Sequence, residues 1–192
     1  MTAHNIDTDV PPSGRPLRAQ PELAIQTLFE SALSFGDGWT AAHCIHERWM
    51  RGAMSINIDT ALEQIWKHAA ASIPDWLPMR HIQWLEIAYE VAARFHAPRG
   101  RSNIYLVLLD YSDSRPEPYG VYVGMSHYAP SLRFDQHKAG IRAAGCVLKR
   151  GLEVLSGPTL HLQHIERVHA ARIEEQLAEA LSGAGLFVQG GH

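Results

Sequence analysis

NIYLVLLDYSDSRPEPYGVYVGMS, residues 103–126, decides the fold. Its opening NIYLVLLD is a nearly continuous apolar run rich in β-formers, the pattern of a central strand buried on both faces. YSDSRPEP is polar and turn-forming, and YGVYVG is a second β-rich run that stops at Gly124. A connector this short closes a hairpin and cannot carry a parallel crossover. The stretch therefore predicts two antiparallel strands, each presenting a tyrosine: Tyr105 on the first and Tyr122 on the second.

Downstream, residues 130–142 suggest a helix, LEVL (152–155) a short third strand, and 163–182 a strong helix ended by Ser-Gly-Ala-Gly. LFVQ (186–189) reads as a last extended piece. Upstream the period is helical. PELAIQTLFESALSF spaces Leu23, Ile25, Leu28, Phe29, Ala32 and Leu33 by three and four residues, and Asp37-Gly38 stops that helix. WTAAHCIHERWMRGAM predicts a second helix. Thr60 and Glu63 have the spacing of a capping box, opening a helix through about Ile73. Residues 79–97 predict another. The expectation is an α/β (α+β) chain: a polar, proline-bearing, disordered tail over 1–20, an all-helical region over 21–97, a hinge at Ala97–Ser102, and a unit over 103–192 with a small three-stranded mixed or antiparallel sheet flanked by helices.

The chain has 192 residues, of which 46% are apolar, as in a globular protein. No apolar run approaches the roughly 20 residues that cross a bilayer, so no membrane association is expected. The start has neither a basic n-region nor an apolar h-region. Cys44 and Cys146 make no disulfide framework, which points to a reducing cytoplasm. The net charge of −3 argues against wholesale coating of nucleic acid but not against a local basic groove. The acidic surplus lies in the first hundred residues; the remainder is balanced and is the better place for a polyanion.

After Tyr122 come Arg133 and, four residues on, His137, within RFDQH. "NIY", "YVG", Arg133, His137 and a glutamate near 174 resemble, in order and type, the signature of the GIY-YIG nucleases over about residues 103–192. The resemblance implies a metal-dependent endonuclease acting on DNA, with one Mg²⁺ (or Mn²⁺) held by the glutamate and the tyrosines and arginine around the scissile phosphate. Asn103 replaces the first glycine of the pattern, Gly124 keeps the last, and Gln189 is the candidate for a terminal asparagine.

The residue chemistry fits that implication. Phosphodiester hydrolysis needs a positioned water, a proton acceptor, and positive charge where the leaving oxygen develops charge. A strand-borne tyrosine orients or deprotonates a water if cations lower its pKa. Arg133 offers a fixed fork for phosphate, and His137, one helical turn later, shares its face and assists proton movement. A single carboxylate can hold Mg²⁺, which keeps waters and uses substrate phosphate as a further ligand. Of two adjacent glutamates, Glu174 lies about 60° around the helix from Leu177, whereas Glu175 lies about 160° from both Ile173 and Leu177. Glu174 therefore flanks the buried stripe and Glu175 faces solvent.

Each residue also has an ordinary reading: strand tyrosines pack, Gly124 ends a strand, and the basic set Lys138, Arg142, Lys149 and Arg150 is a solvated face or a nucleic-acid groove. His161, His164 and His169 suggest zinc if HxxH is helical, making a zinc-dependent hydrolase a third reading. Trp39, Trp49, Trp66, Trp76 and Trp84 fall in the helical region and suit its core or its contact with the unit over 103–192, while the helices themselves are a candidate surface for a regulatory or self-association partner. The alternative to the nuclease is a catalytically inactive module of the same fold that binds nucleic acid or protein.

Overall fold

The computed structural model describes residues 14–191, and the chain divides after Gln83 into two compact units. The tail expectation for residues 1–13 lies outside the described residues. Residues 14–20 are not a loose tail: Leu17 is buried and the Arg15 guanidinium pairs with Glu47 at 2.8 Å.

The first unit holds helices α1 (Glu22–Phe35), α2 (Gly38–Met50) and α3 (Ser55–Ala69). Gly36 ends α1 in the left-handed conformation, φ 68°, its N–H reaching the Ala32 and Leu33 carbonyls. Asp37 then begins α2 by accepting the Thr40 amide, so Asp37-Gly38 is a start as much as a stop. α3 starts at Ser55, well before the expected capping box. Thr60 is interior, donating to the Ile56 carbonyl one turn back, because Ile58 is already needed on the buried face. Trp49 and Trp76 are core residues, Trp49 stacking on His81 at 5.2 Å, while Trp66 is 62% exposed.

The second unit begins at Trp84, whose indole N–H donates to the Tyr119 carbonyl. The helix expected over 79–97 shortens to α4 (Leu85–Ala92), which packs on α7 (Arg167–Gly183) of this unit. The expected hinge is strand: β1 runs Arg99–Asp110, and Arg99 and Ser102 bridge to Ile165. There follow β2 (Tyr119–Ser126), α5 (Pro130–Lys138), α6 (Gly145–Arg150), β3 (Gly151–Leu155) and β4 (Val188–Gly190). α5 stops short of residue 142 because Gly140, at φ 79°, turns the chain out of the helix.

The described sheet has four strands, not three, in the order β3-β1-β2-β4, with β1 antiparallel to β2 and β3, and β2 parallel to β4. The extra strand comes from the LFVQ segment. β2 also continues past Gly124 to Ser126, because its ladder with β1 runs on through Asn103. Alternation sorts the side chains to two faces. Tyr105, Val107 and Leu109 pack with Val147, Phe134, Ala144 and Cys146 under α5 and α6. On the other side Ile104, Leu106 and Leu108 are fully buried, and α7 lies on β1 and β2 with Ile173, Leu177 and Leu181 turned inward. Burying both faces accounts for the unbroken apolar run; each such side chain contributes roughly 1.5–3 kcal/mol. The chain is a mixed α/β protein. Among the described residues no helix is long and apolar enough to cross a membrane.

Candidate active site

In the hairpin ladder Tyr105 stands opposite Gly124 and Val107 opposite Tyr122, so the two tyrosines are diagonal neighbours on one face, ring centres 6.1 Å apart. Gly124 makes this pairing sterically available. A Cβ there would lie 2.6 Å from Cζ of Tyr105 and from Cε1 of Tyr122, closer than carbon atoms approach. Gly124 therefore seats the rings and does not end the strand.

His137 comes to the same point from α5. Its Nε2 lies 3.0 Å from the Tyr105 hydroxyl oxygen, its ring centre 5.8 Å from that of Tyr122, and its Nδ1 accepts the Ala144 amide at 2.9 Å. Burial, with help from Arg133, lowers its pKa to about 4, so the imidazole is neutral at pH 7. Burial also pushes the Tyr105 hydroxyl well above the usual tyrosine range; Tyr122 adds to the rise and the Arg133 cation opposes it. Tyr122 is raised by burial first and then by the negative charge of Glu174. Burial thus outweighs the Arg133 cation at both tyrosines, so the lowered pKa expected of a tyrosine base is not found.

Arg133 and His137 share a second task. The Arg133 guanidinium donates to the Ile141 carbonyl at 3.1 Å and the Arg142 carbonyl at 2.8 Å, so both residues grip the loop between α5 and α6. Glu174 is half-buried and Glu175 exposed, the orientation expected from helix geometry. Oε1 of Glu174 accepts the Met125 amide at 3.0 Å, just beyond the short β4 ladder. Gln189 pairs with Tyr122 in that parallel ladder, which places it on the tyrosine face.

The basic set is divided. Arg150 forms a fork on Asp113, at 2.7 and 3.1 Å, and lies 4.4 Å over the Tyr111 ring. Lys138 donates to the Leu148 and Gly151 carbonyls. Lys149 and Arg142 are exposed. Lys138, Lys149 and Arg150 line a cleft of about 460 Å³ together with Asp110 and Asp113. The histidine trio does not form the expected helical pair. Residues 160–162 make only one turn of 3-10 helix, His164 sits at φ 55°, His161 Nε2 lies 3.1 Å from the Ala92 carbonyl, and His169 pairs with Glu166.

Two contributors escaped the sequence reading. Asn103 is a buried clamp: its amide donates to the Tyr128 carbonyl before α5, and its carbonyl accepts the His164 amide before α7. The departure from glycine at this position thus ties together the approaches to the two helices bearing His137 and Glu174. Ala144 acts through its backbone N–H, which no side-chain pattern could reveal. No family model, no curated protein and no solved structure matches this chain.

Proposed function

We propose that the second unit is a metal-dependent endonuclease that hydrolyses phosphodiester bonds of DNA, as its sequence resemblance to the GIY-YIG nucleases implies. The observation that carries this reading is the convergence of Tyr105, Tyr122 and His137 from three elements, with the charges of Arg133 and Glu174 acting on the two hydroxyls.

The donors suit a hard cation. Glu174 presents a half-buried carboxylate beside Tyr122, and a carboxylate oxygen can accept one N–H and still ligate. Among the described residues no cluster of three or more His, Cys, Asp or Glu forms a protein cage. One carboxylate is enough for Mg²⁺ or Mn²⁺, whose remaining positions are taken by water and substrate phosphate. Bound there, the ion supplies charge neutralisation at a phosphoryl oxygen. Glu174 would hold it. Tyr105 and Tyr122, both kept protonated by burial, would orient the attacking water through hydrogen bonds, His137 would hold the Tyr105 hydroxyl, and Arg133 would neutralise phosphate charge.

The test is cleavage of supercoiled plasmid with Mg²⁺ by the wild type, Tyr122→Phe and Glu174→Ala. Each variant is expected to lose at least about 100-fold in rate while keeping its circular dichroism spectrum. Full activity in either folded variant removes that residue from its role.

A second reading is a non-catalytic nucleic-acid-binding or protein-interaction module. It is favoured by the engagement of Arg133 with loop carbonyls and of Glu174 with the Met125 amide. DNA binding without cleavage in Mg²⁺, Mn²⁺ or Ca²⁺ would decide for it.

A further inference from the structure

We propose that the backbone amide of Ala144 is a positioning group that locks His137 in its Nε2–H tautomer, so that His137 serves Tyr105 only as a hydrogen-bond donor. The catalytic consequence rests on the nuclease reading; the lock itself does not.

A neutral imidazole has one N–H and one lone pair, and the partner of either nitrogen fixes the other. An amide nitrogen can only donate. The Ala144 N–H at 2.9 Å therefore finds the lone pair at Nδ1, and the ring proton sits at Nε2, 3.0 Å from the Tyr105 oxygen. Tyr105 must accept this bond, leaving its own proton to point away from His137. His137 thus cannot receive the Tyr105 proton while the amide is in place. Instead, its donated bond fixes the Tyr105 oxygen and leaves the hydroxyl proton free to be donated elsewhere in the site. The charged or titratable groups facing the imidazole are Arg133 from its own helix, Tyr105 from β1 and Tyr122 from β2; none of these replaces the amide at Nδ1.

The loop is built to hold this amide. After Gly140 at φ 79° the chain passes through Arg142 at φ 46°, a left-handed conformation that costs a non-glycine residue free energy. The Arg133 guanidinium holds the Ile141 and Arg142 carbonyls on either side of that turn. Ala144 follows at φ −68°, presenting its N–H inward as the residue that caps α6. Arg133 fixes the loop, the loop fixes the amide, and the amide fixes the imidazole.

Proline suits φ −68° and carries no N–H, so Ala144→Pro deletes the donor, and its Cδ, standing where the amide hydrogen was, also pushes the imidazole away. Nitrogen-15 spectra of the imidazoles in the full-length protein at pH 7 should show His137 protonated at Nε2 only. Ala144→Pro should introduce the Nδ1–H form and slow plasmid cleavage by about tenfold or more with KM unchanged. Should the proline variant fail to fold, His137→Gln and His137→Asn give the same discrimination. The glutamine amide nitrogen reaches the place of Nε2 and can donate to Tyr105, and the asparagine one cannot. His137→Gln should cleave about tenfold faster than His137→Asn. A wild-type His137 carrying its proton on Nδ1, an unchanged tautomer in folded Ala144→Pro, or equal rates for the glutamine and asparagine variants would each overturn the proposal. An Nε2–H spectrum in a wild type that cleaves no nucleic acid would sink the nuclease reading and leave the lock standing.

Discussion

Gly124 faces Tyr105 across the β1–β2 ladder, and the space left by its missing side chain is filled by two tyrosine rings. Gly124→Ala is therefore expected to destabilise the protein by about 1–3 kcal/mol, the usual range for overpacking. Both rings must leave their positions to admit the methyl group. Urea denaturation measures the loss, and a variant as stable as the wild type would show that the rings are free to move.

Asn103→Gly would bring the sequence closer to the GIY-YIG pattern and should make the protein worse. The substitution strands the Tyr128 carbonyl and the His164 amide, which Asn103 now joins. The expected cost is about 1–3 kcal/mol, from two lost hydrogen bonds and a backbone given extra freedom. Cleavage should fall with it, because the loops leading to α5 and α7 lose their shared tie. A thermal melt and a plasmid assay on the same preparation test both statements.

Acid should unfold the protein through its buried imidazoles. Burial lowers the pKa of His43, His46 and His137 to about 4, with His43 itself adding to the effect on His46 and Arg133 to that on His137. The unfolded chain takes up these protons as pH falls below about 6.5, whereas the folded chain does not until about pH 4. Stability is thus complete above pH 6.5 and declines from there to pH 4. Two of the three histidines are in the first unit, where both ring nitrogens of His43 are buried without a hydrogen-bond partner among the described residues. That unit should respond more steeply. Tryptophan fluorescence reports on it through Trp39, Trp49, Trp66 and Trp76, and His43→Leu should flatten the dependence.

The basic residues should divide by whether a carboxylate already occupies them. Lys149 is exposed, and Lys149→Ala should lower the salt slope of DNA binding by about one. Arg150 is neutralised by Asp113, so Arg150→Ala should change that slope less. Asp113→Ala should tighten binding by releasing Arg150. Titrations of labelled duplex at several salt concentrations measure all three, and weaker binding by Asp113→Ala would remove this cleft from the DNA path.

What could be read from the sequence follows the reach of the interactions involved. The hairpin of residues 103–126 was legible because buried strands leave an apolar run and short connectors admit few topologies. Glu174 was separable from Glu175 because helix geometry is local. β4 was only suggested, since a strand of Val188–Gly190 owes its existence to β2 and not to its own residues. The start of α3 was missed because Thr60 and Glu63 carry a cap spacing that tertiary packing of Ile58 overrides. Asn103 and the Ala144 amide were out of reach for a different reason: each works through backbone groups distant in sequence, and backbone groups are the same in every residue.

The ammonium of Lys138, described above as held by the Leu148 and Gly151 carbonyls, also bears on how these molecules behave at high concentration. β3 is an outer strand of the described sheet, and its register with β1 shifts between Leu108 and Leu109. A foreign strand adding alongside β3 would meet a distorted ladder and have to strip water from a fixed cation at its first residue. Lys138→Ala is therefore expected to raise the tendency of the protein to associate at high concentration, which light scattering would measure.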